Sequence, residues 1–481
     1  MKITLILSAC LFLSAHSQTT YNYYYGNLHS HTGFSDGSKD SASTGISKPS
    51  GAYTYASASQ NFDFLGISEH NHYSASHNPG FKLPLYQSGL TMANNANQDG
   101  TFLALFGMEY GVSSDYNGHV VIYGFNQLIG WENSVPGVTG NNYDIYNAKT
   151  DYAGLFKKIK NNPNAFCYLA HPNTNDYTNN GPVSTAIANA PYNAMYDSAI
   201  VGVPFRNGLA FSTFTDYSDY PNSDYLSYYK KLLSIGYHIG IGYDHDNHNT
   251  TFGRNNAGRL VILAPALTRA DLTTAMQKMH FYGSDDWNAK IGFTMNGNIM
   301  GSILTGSTSP TFNILHNDGD SEQASIISVW KGKSGGATPT VVHSIAQNNT
   351  VTYTDNNLAQ GVEYYYFVEI KQADGDRIIT SPIWYKSSVD IGTQPATAIN
   401  EQFNDIKFNF FPNPVSKQLN ISIAECDHYD ISIIDISGRI VLKHNSNDND
   451  LSIDLAGINP GIYTLNVSTA SASVSKKLVI E

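Results

Sequence analysis

Apolar runs of strand length recur through the first half of the chain: Phe62–Ile67, Phe102–Phe106, Val120–Phe125, Phe166–Ala170 and His238–Gly242. Between them, Tyr152–Lys160, Tyr225–Ile235 and Ala270–Met279 place apolar residues three and four apart, which predicts helices. This alternation of strand and helix over residues 21–286 predicts an α/β domain built on a parallel sheet or barrel. From 287 to 388 the helix period disappears. Short alternating runs remain, among them Thr311–Leu315, Ala324–Trp330 and Glu363–Ile370, divided by clusters such as Asn317-Asp318-Gly319-Asp320. That pattern predicts a small all-β sandwich. Residues 389–404 are polar, have no period and read as a linker. Residues 405–481 return to short strands with tight Gly turns, the pattern of a second small antiparallel domain.

The N-terminus has a different texture. Met1-Lys2, the apolar stretch Ile3–Leu13 and the small residues Ser14-Ala15-His16-Ser17 predict a signal peptide over 1–17, cleaved after Ser17. The apolar stretch is too short to span a bilayer, and no later stretch is long and apolar enough. Leu7-Ser8-Ala9-Cys10 has the form of a lipoprotein cleavage box, but the apolar core before it is too short and apolar residues continue after it. Cys10, Cys167 and Cys426 fall in different regions, so no disulfide framework is implied. Cys167, in AFCYLAHP, reads as a buried strand residue.

Composition narrows the class. A length of 481 residues allows two to four domains, and 41% apolar with only 14% charged residues excludes a disordered chain. The formal charge of −12 argues against stable nucleic-acid binding. It leaves an anionic substrate open, because divalent ions make their own site locally positive. Of the 16 histidines, eleven lie between His29 and His280, so the chemistry belongs to the first domain.

Those histidines come in clusters with carboxylates. His29 and His31, in Asn27-Leu28-His29-Ser30-His31, share one face of an extended segment and can hold one ion together. Asp36 follows in a Ser-Asp-Gly turn. The apolar run Phe62–Ile67 delivers Glu69 and His70 at its C-terminal end, and Phe102–Phe106 is followed by Glu109. His119 precedes Val120–Phe125, and Phe166–Ala170 ends in His171. The last cluster is Asp244-His245-Asp246-Asn247-His248. Any one of these has an ordinary structural reading. Taken together, apolar strands that repeatedly end in His, Asp or Glu predict a centre for two or three Zn, Mn or Fe ions rather than Ca or Mg.

The order His-x-His…Ser-Asp-Gly, Glu-His-Asn, Glu109, His119, Ala-His-Pro, Asp-x-His resembles the PHP (polymerase and histidinol phosphatase) superfamily over residues 21–286. The resemblance implies a distorted (β/α)7 barrel, here followed by two small all-β sandwich domains. It also implies hydrolysis of phosphoesters, or in some branches of carbamate esters. Carried over residue by residue, His29, His31, Glu109 and Asp246 would hold a first metal, and Asp36, His70 and His248 a second. Glu109, His119 and His171 would hold a third, with Glu109 bridging. Two departures stand out. Glu69 takes a place where the family often has Asp, and the final motif allows a register in which Asp244 replaces Asp246.

Two ions bridged by a solvent molecule would lower its pKa and present hydroxide as nucleophile, so the expected function is a secreted phosphoesterase acting on a phosphomonoester or phosphodiester. Asp246 and His248 lie in the expected catalytic motif, and Arg206, after the apolar run Val203–Phe205, is a candidate phosphate clamp. His72, His77 and His245 flank the ligand clusters and are candidates for proton transfer. The expected substrate is a small phosphorylated molecule or nucleotide. One alternative is a carbamate or carboxylic ester hydrolase on the same centre. Another is a non-catalytic surface-binding protein with a structural metal.

At the C-terminus, Phe410-Phe411-Pro412-Asn413-Pro414, Ser437-Gly438-Arg439, Pro460-Gly461-Ile462-Tyr463 and the final Lys476-Lys477-Leu478-Val479-Ile480 resemble the sorting domain of Bacteroidetes type IX secretion. That resemblance implies the type IX machinery as a partner and a secreted or surface location.

Overall fold

A computed structural model describes residues 20–76, 79–112, 117–221, 223–392, 408–423, 428–435, 439–468 and 473–481. The signal segment, Cys10, His77, Cys426 and most of the 389–404 linker lie outside them. The chain divides into two compact units, Met1–Thr393 and Gln394–Glu481.

The apolar runs form strands where they were expected. Phe64–His70, Leu103–Tyr110, His119–Tyr123, Phe166–Ala170 and Gly240–Asp244 are buried at every position, as strands covered on both faces must be. Helices cover them. Tyr152–Lys160 starts where Asp151 accepts from the Gly154 amide, buries Tyr152, Leu155, Phe156 and Ile159, and turns Lys157, Lys158 and Lys160 into its last turn. Each such large apolar side chain contributes about 1.5–3 kcal/mol on burial. Leu226–Ile235 and Arg269–Gln277 follow the same pattern, the second capped by Thr268.

The strand pairing corrects the expected architecture: the chain does not form a (β/α)7 barrel. Strands far outnumber helices among the described residues. The sheet is mixed. Asn22–Asn27, Phe64–His70 and Leu103–Tyr110 run parallel, but Leu103–Tyr110 pairs antiparallel with His119–Tyr123, and that strand antiparallel with Phe166–Ala170. Residues 111–118 are too few for the crossover that parallel neighbours require, so this connection has to reverse the chain. On the other side, Asn22–Asn27 pairs antiparallel with Arg259–Ala264, and that strand with Phe281–Ser284.

The sheet then continues into the middle region. Phe281–Ser284 pairs with Arg377–Thr380, which pairs with Glu363–Gln372. Residues 287–388 therefore share a sheet with the first region. A second, four-stranded sheet containing Lys290–Met295, Thr311–Asn317 and Thr350–Thr354 packs on this extension through Phe293, Phe312, Ile314, Val329, Tyr366 and Val368.

The C-terminal unit has its own core of Leu419, Ile421, Ile431, Ile433, Leu465 and Leu478 between a three-stranded and a four-stranded antiparallel sheet.

Candidate metal centre

Strand ends bring the candidate ligands together. His29 and His31 follow Asn22–Asn27 in extended chain, and backbone bonds from Asp246 N to His29 O (2.8 Å) and from His31 N to Asn247 O (2.9 Å) join the first motif to the last. His70 ends its strand in register with Glu109 on the next. His119 opens the antiparallel strand, opposite Ala170, which places His171 one residue further on. Asp36 hangs from a turn closed by Gly37 N to Thr32 O, 3.0 Å. Gly37 is required there, because a Cβ would lie 2.3 Å from the His31 carbonyl.

Glu109 occupies the middle. Its Oε1 lies 2.8 Å from His119 Nδ1 and 3.1 Å from both His29 Nε2 and His171 Nε2. Its Oε2 lies 3.1 Å from His70 Nδ1 and 3.3 Å from His31 Nε2. Asp246 Oδ1 sits 3.2 Å from His29 Nε2 and 3.3 Å from His31 Nε2. Asp36 Oδ1 sits 3.3 Å from His248 Nε2 and 3.5 Å from His70 Nε2.

Ligand atoms within 4.8 Å of one another form four overlapping sets: His31-Asp36-His70-His248, His29-His31-Asp246, His70-Glu109-His119 and His29-Glu109-His171. All nine residues expected as ligands fall in these sets. The first is the expected second ion position with His31 added, and the second is the expected first without Glu109. The expected third set divides: His119 groups with His70, and His171 with His29. Their nitrogens are nevertheless only 3.3 Å apart.

The donor set fits divalent transition ions. His29 Nε2, His31 Nε2, Asp36 Oδ1, both His70 nitrogens, Glu109 Oε2 and His119 Nε2 are buried and have no hydrogen-bond partner. Buried polar atoms are otherwise almost always bonded, so these point at one another without satisfying one another. Imidazole with carboxylate is the chemistry of Zn, Mn or Fe.

The protonation pattern agrees. Burial alone would lower His29, but Glu109 and Asp246 outweigh it and hold it raised; His31, under the same opposition, is pushed up to about 10. Burial would raise Glu109 and Asp246, yet the imidazoles around each hold it well below the carboxylate range. Protons held between imidazole and carboxylate in this way are those a divalent ion displaces.

Neighbouring residues hold the ligands in place. Asp244 Oδ2 lies 3.1 Å from His29 Nδ1, which leaves Nε2 facing inward. Asn207 donates to Asp246 Oδ2 at 3.2 Å, keeping Oδ1 on the histidines. The ambiguous register of the last motif is thus resolved in space: Asp246 faces the centre and Asp244 stands behind His29. Glu69 accepts from Thr32 N at 3.0 Å and from the Thr32 and Ser35 hydroxyls, so it holds the loop that carries Asp36. Burial pushes Glu69 up to about 7. His171 (φ 27°) and Asp246 (φ 55°) adopt left-handed backbone, which costs about 1–3 kcal/mol per residue and concentrates at functional sites. Sequence reasoning missed Asn27, whose side chain bonds His29 O at 2.8 Å and the His245 amide at 2.9 Å. Its place two residues before His-x-His is the only signal.

Arg206 requires a correction. Its Nε donates to Asp285 at 2.7 Å, and its other nitrogens to Ser223 O, Pro221 O and the Tyr220 hydroxyl. The guanidinium is committed to this network and does not act as the expected phosphate clamp. His245 Nε2 lies 2.7 Å from Gly258 O in the core; burial, with Arg259 nearby, pushes it down to about 3. It is structural. His72 lies tilted against Trp131, 5.6 Å between centroids, and is pushed down to about 4, mainly by burial.

With the geometry in place, comparison with known proteins decides one matter. Residues 409–481 match the family described as "Secretion system C-terminal sorting domain". The chain carries a type IX sorting tail. That tail directs it out of the cell, to the surface or the medium, and no described helix is long and apolar enough to cross a membrane. No curated protein matches the chain.

Among solved structures, the FN1–FN3 domains of chicken CNTN1 align at 13% identity over 37% of this chain and 62% of that one, TM-score 0.15. A two-domain fibronectin type III segment of chicken tenascin aligns at 15% over 40% of this chain and 99% of that one, TM-score 0.14. Fibronectin(III)-like modules of Clostridium thermocellum CbhA align at 14% over 39% and 94%, TM-score 0.14. The chain spans less than two thirds of the CNTN1 structure's length, and at such scores these likenesses carry no argument.

Proposed function

We propose that the exported chain is a divalent-metal-dependent phosphoesterase of the PHP kind, acting on a small phosphomonoester or phosphodiester. The observation that carries the reading is the convergence of nine separately placed His, Asp and Glu side chains in four overlapping ligand sets, two of which share Glu109. What supports the PHP comparison is the order and spacing of the motifs; it does not extend to a barrel.

His29, His31 and Asp246 would hold one ion, and His31, Asp36, His70 and His248 another. Glu109 would be shared with His119 and His171. Divalent ions in such a centre supply Lewis acidity and make coordinated water acidic enough to act near neutral pH. The remaining work belongs to the chain. Asp244 sets the His29 tautomer, Asn207 orients Asp246, and Glu69 holds the Thr32–Ser35 loop. On the solvent side, the exposed Phe211 ring lies 4.9 Å from the His248 ring, with Lys39 Nζ 5.5 Å from the Phe211 centroid. An ammonium and an aromatic face beside the centre suit an anionic ester with a planar leaving group.

The test is hydrolysis of an aryl phosphate, an aryl phosphodiester, an aryl carbamate and an aryl ester by metal-loaded protein, beside His31→Ala and Asp246→Ala. The reading expects phosphate turnover that both variants lose. Turnover of the carbamate or ester alone would reassign the bond cleaved. Failure to bind any transition metal would end the proposal.

A further inference from the structure

We propose that Phe211, with Leu209 and Phe214 on the same segment and Lys39 beside it, forms a leaving-group subsite. It selects phosphate esters that carry an aromatic ring over aliphatic ones, and it rests on the phosphoesterase reading of the histidine centre. Among the described residues 20–286, the large apolar side chains that stay exposed are Tyr146, Tyr192, Leu209, Phe211, Phe214 and Tyr220. Four of these fall within 209–220, the segment that follows the strand Ile200–Asn207. Tyr220 is engaged through its hydroxyl with Arg206 and Asp285. Leu209, Phe211 and Phe214 remain.

The segment is tied to the metal ligands. His248 bonds both sides of the subsite through its backbone: its amide donates to Ala210 O at 2.8 Å, and its carbonyl accepts from Lys39 N at 3.0 Å. The next residue, Asn249, is buried, and its side chain donates to Phe211 O at 3.0 Å and Ser212 O at 3.2 Å. Gly208 N donates to Asp244 O at 2.8 Å. Further on, Tyr217 N donates to Arg254 O at 2.8 Å and Asp219 N to Asn255 O at 2.9 Å. Burying a large apolar side chain is favourable. A segment fastened at so many points that still leaves three of them in solvent, next to a metal ligand, marks a binding surface.

Ring geometry and charge name the occupant. Phe211 is 63% exposed, so most of its ring is free to meet a second one. Its centroid lies 4.9 Å from that of His248, with the planes at 50°. A group stacked on Phe211 therefore stands beside the ligand set His31-Asp36-His70-His248. Lys39 Nζ lies 5.5 Å from the Phe211 centroid, and Lys39 enters none of the salt bridges among the described residues. An ammonium without a counter-charge and an aromatic face thus share one rim. They suit a ligand with an anionic group at one end and an aromatic ring at the other. An aliphatic ester meets the same ammonium but gains no ring contact. Pairing of two rings is worth about two- to tenfold in affinity beyond the area buried.

Two non-hydrolysable probes, naphthylmethylphosphonate and methylphosphonate, test the subsite by calorimetric binding to metal-loaded full-length protein, without turnover. The wild type should bind the naphthyl probe about tenfold more tightly. Phe211→Ala should lose most of that difference and Phe211→Trp should keep it, with metal content by elemental analysis equal to the wild type in both. Lys39→Gln should weaken both probes alike, by about two- to fivefold, because the ammonium meets the phosphonate that they share. In turnover, Phe211→Ala should lower kcat/KM for naphthyl phosphate about tenfold more than for glycerol 2-phosphate. Intrinsic leaving-group reactivity cancels in that comparison. Equal wild-type affinity for the two probes, a naphthyl preference that survives Phe211→Ala, or unchanged affinities in Lys39→Gln would overturn the proposal. A Phe211-dependent naphthyl preference without turnover of either phosphate would count against the phosphoesterase reading and leave the aromatic subsite standing.

Discussion

Single side chains divide the work at the histidine centre, and substitution should separate their roles. Asp246 Oδ1 faces His29 and His31, whereas Asp244 acts through His29 Nδ1. Asp246→Ala should remove an ion, read as lost metal stoichiometry by elemental analysis, with turnover falling at least about 100-fold. Asp244→Asn should keep the stoichiometry and weaken metal affinity by about 10–100-fold, as loss of an outer-shell partner does. Equal effects of the two variants would remove the distinction. Gly37→Ala should displace Asp36 by forcing a Cβ against the His31 carbonyl, 2.3 Å away. It should lower metal content while far-UV circular dichroism stays native.

Between elements, His238 joins three pieces of chain. Its Nδ1 lies 2.9 Å from Asp197 Oδ2, at the end of the helix Ala194–Asp197, and its Nε2 3.1 Å from Glu363 Oε1, at the start of the strand Glu363–Gln372. Burial would lower its pKa, but the two carboxylates outweigh burial and push it up from 6.5 to about 9. A folded-state pKa above the unfolded one stabilises fully below about pH 6.5, and that stability is lost as pH rises through about 9. The span corresponds to about 2–3 kcal/mol at most, since the ring is partly exposed. The unfolding temperature of the wild type should fall between pH 7 and 9.5 more steeply than that of His238→Gln. Parallel slopes would show that the clamp contributes nothing. Here too lies one limit of pattern reading. The helix Tyr152–Lys160 is observed with the bounds its apolar period predicts, whereas nothing in the local pattern of Glu363–Ile370 announces a partner more than a hundred residues earlier.

At the scale of the whole molecule, the two units carry separate cores, so removing the centre should not unfold the tail. Chelation should abolish turnover and lower the first unfolding transition, leaving the transition of Gln394–Glu481 in place in calorimetry. On the proposed reading, a chain truncated after Thr393 should bind metal and turn over substrate as the full chain does but fail to leave the cell, read as retention in the cell fraction. The sequence alone determined where the ligand-bearing apolar strands and three of the helices lie, which nine residues gather, and that the tail is a sorting domain. These are local properties: apolar period, ligand chemistry and motif order are written in neighbouring residues. Tertiary structure alone decided the rest. It decided that the sheet is mixed and runs on into residues 287–388, because pairing is chosen between strands whose apolar runs look alike whichever neighbour they take. It decided between Asp244 and Asp246, because left-handed backbone at Asp246 and a bond from Asn207 set which oxygen faces inward. It also committed Arg206 to Asp285, 79 residues away, because a buried guanidinium takes the carboxylate that the fold brings to it, and no sequence period records that meeting.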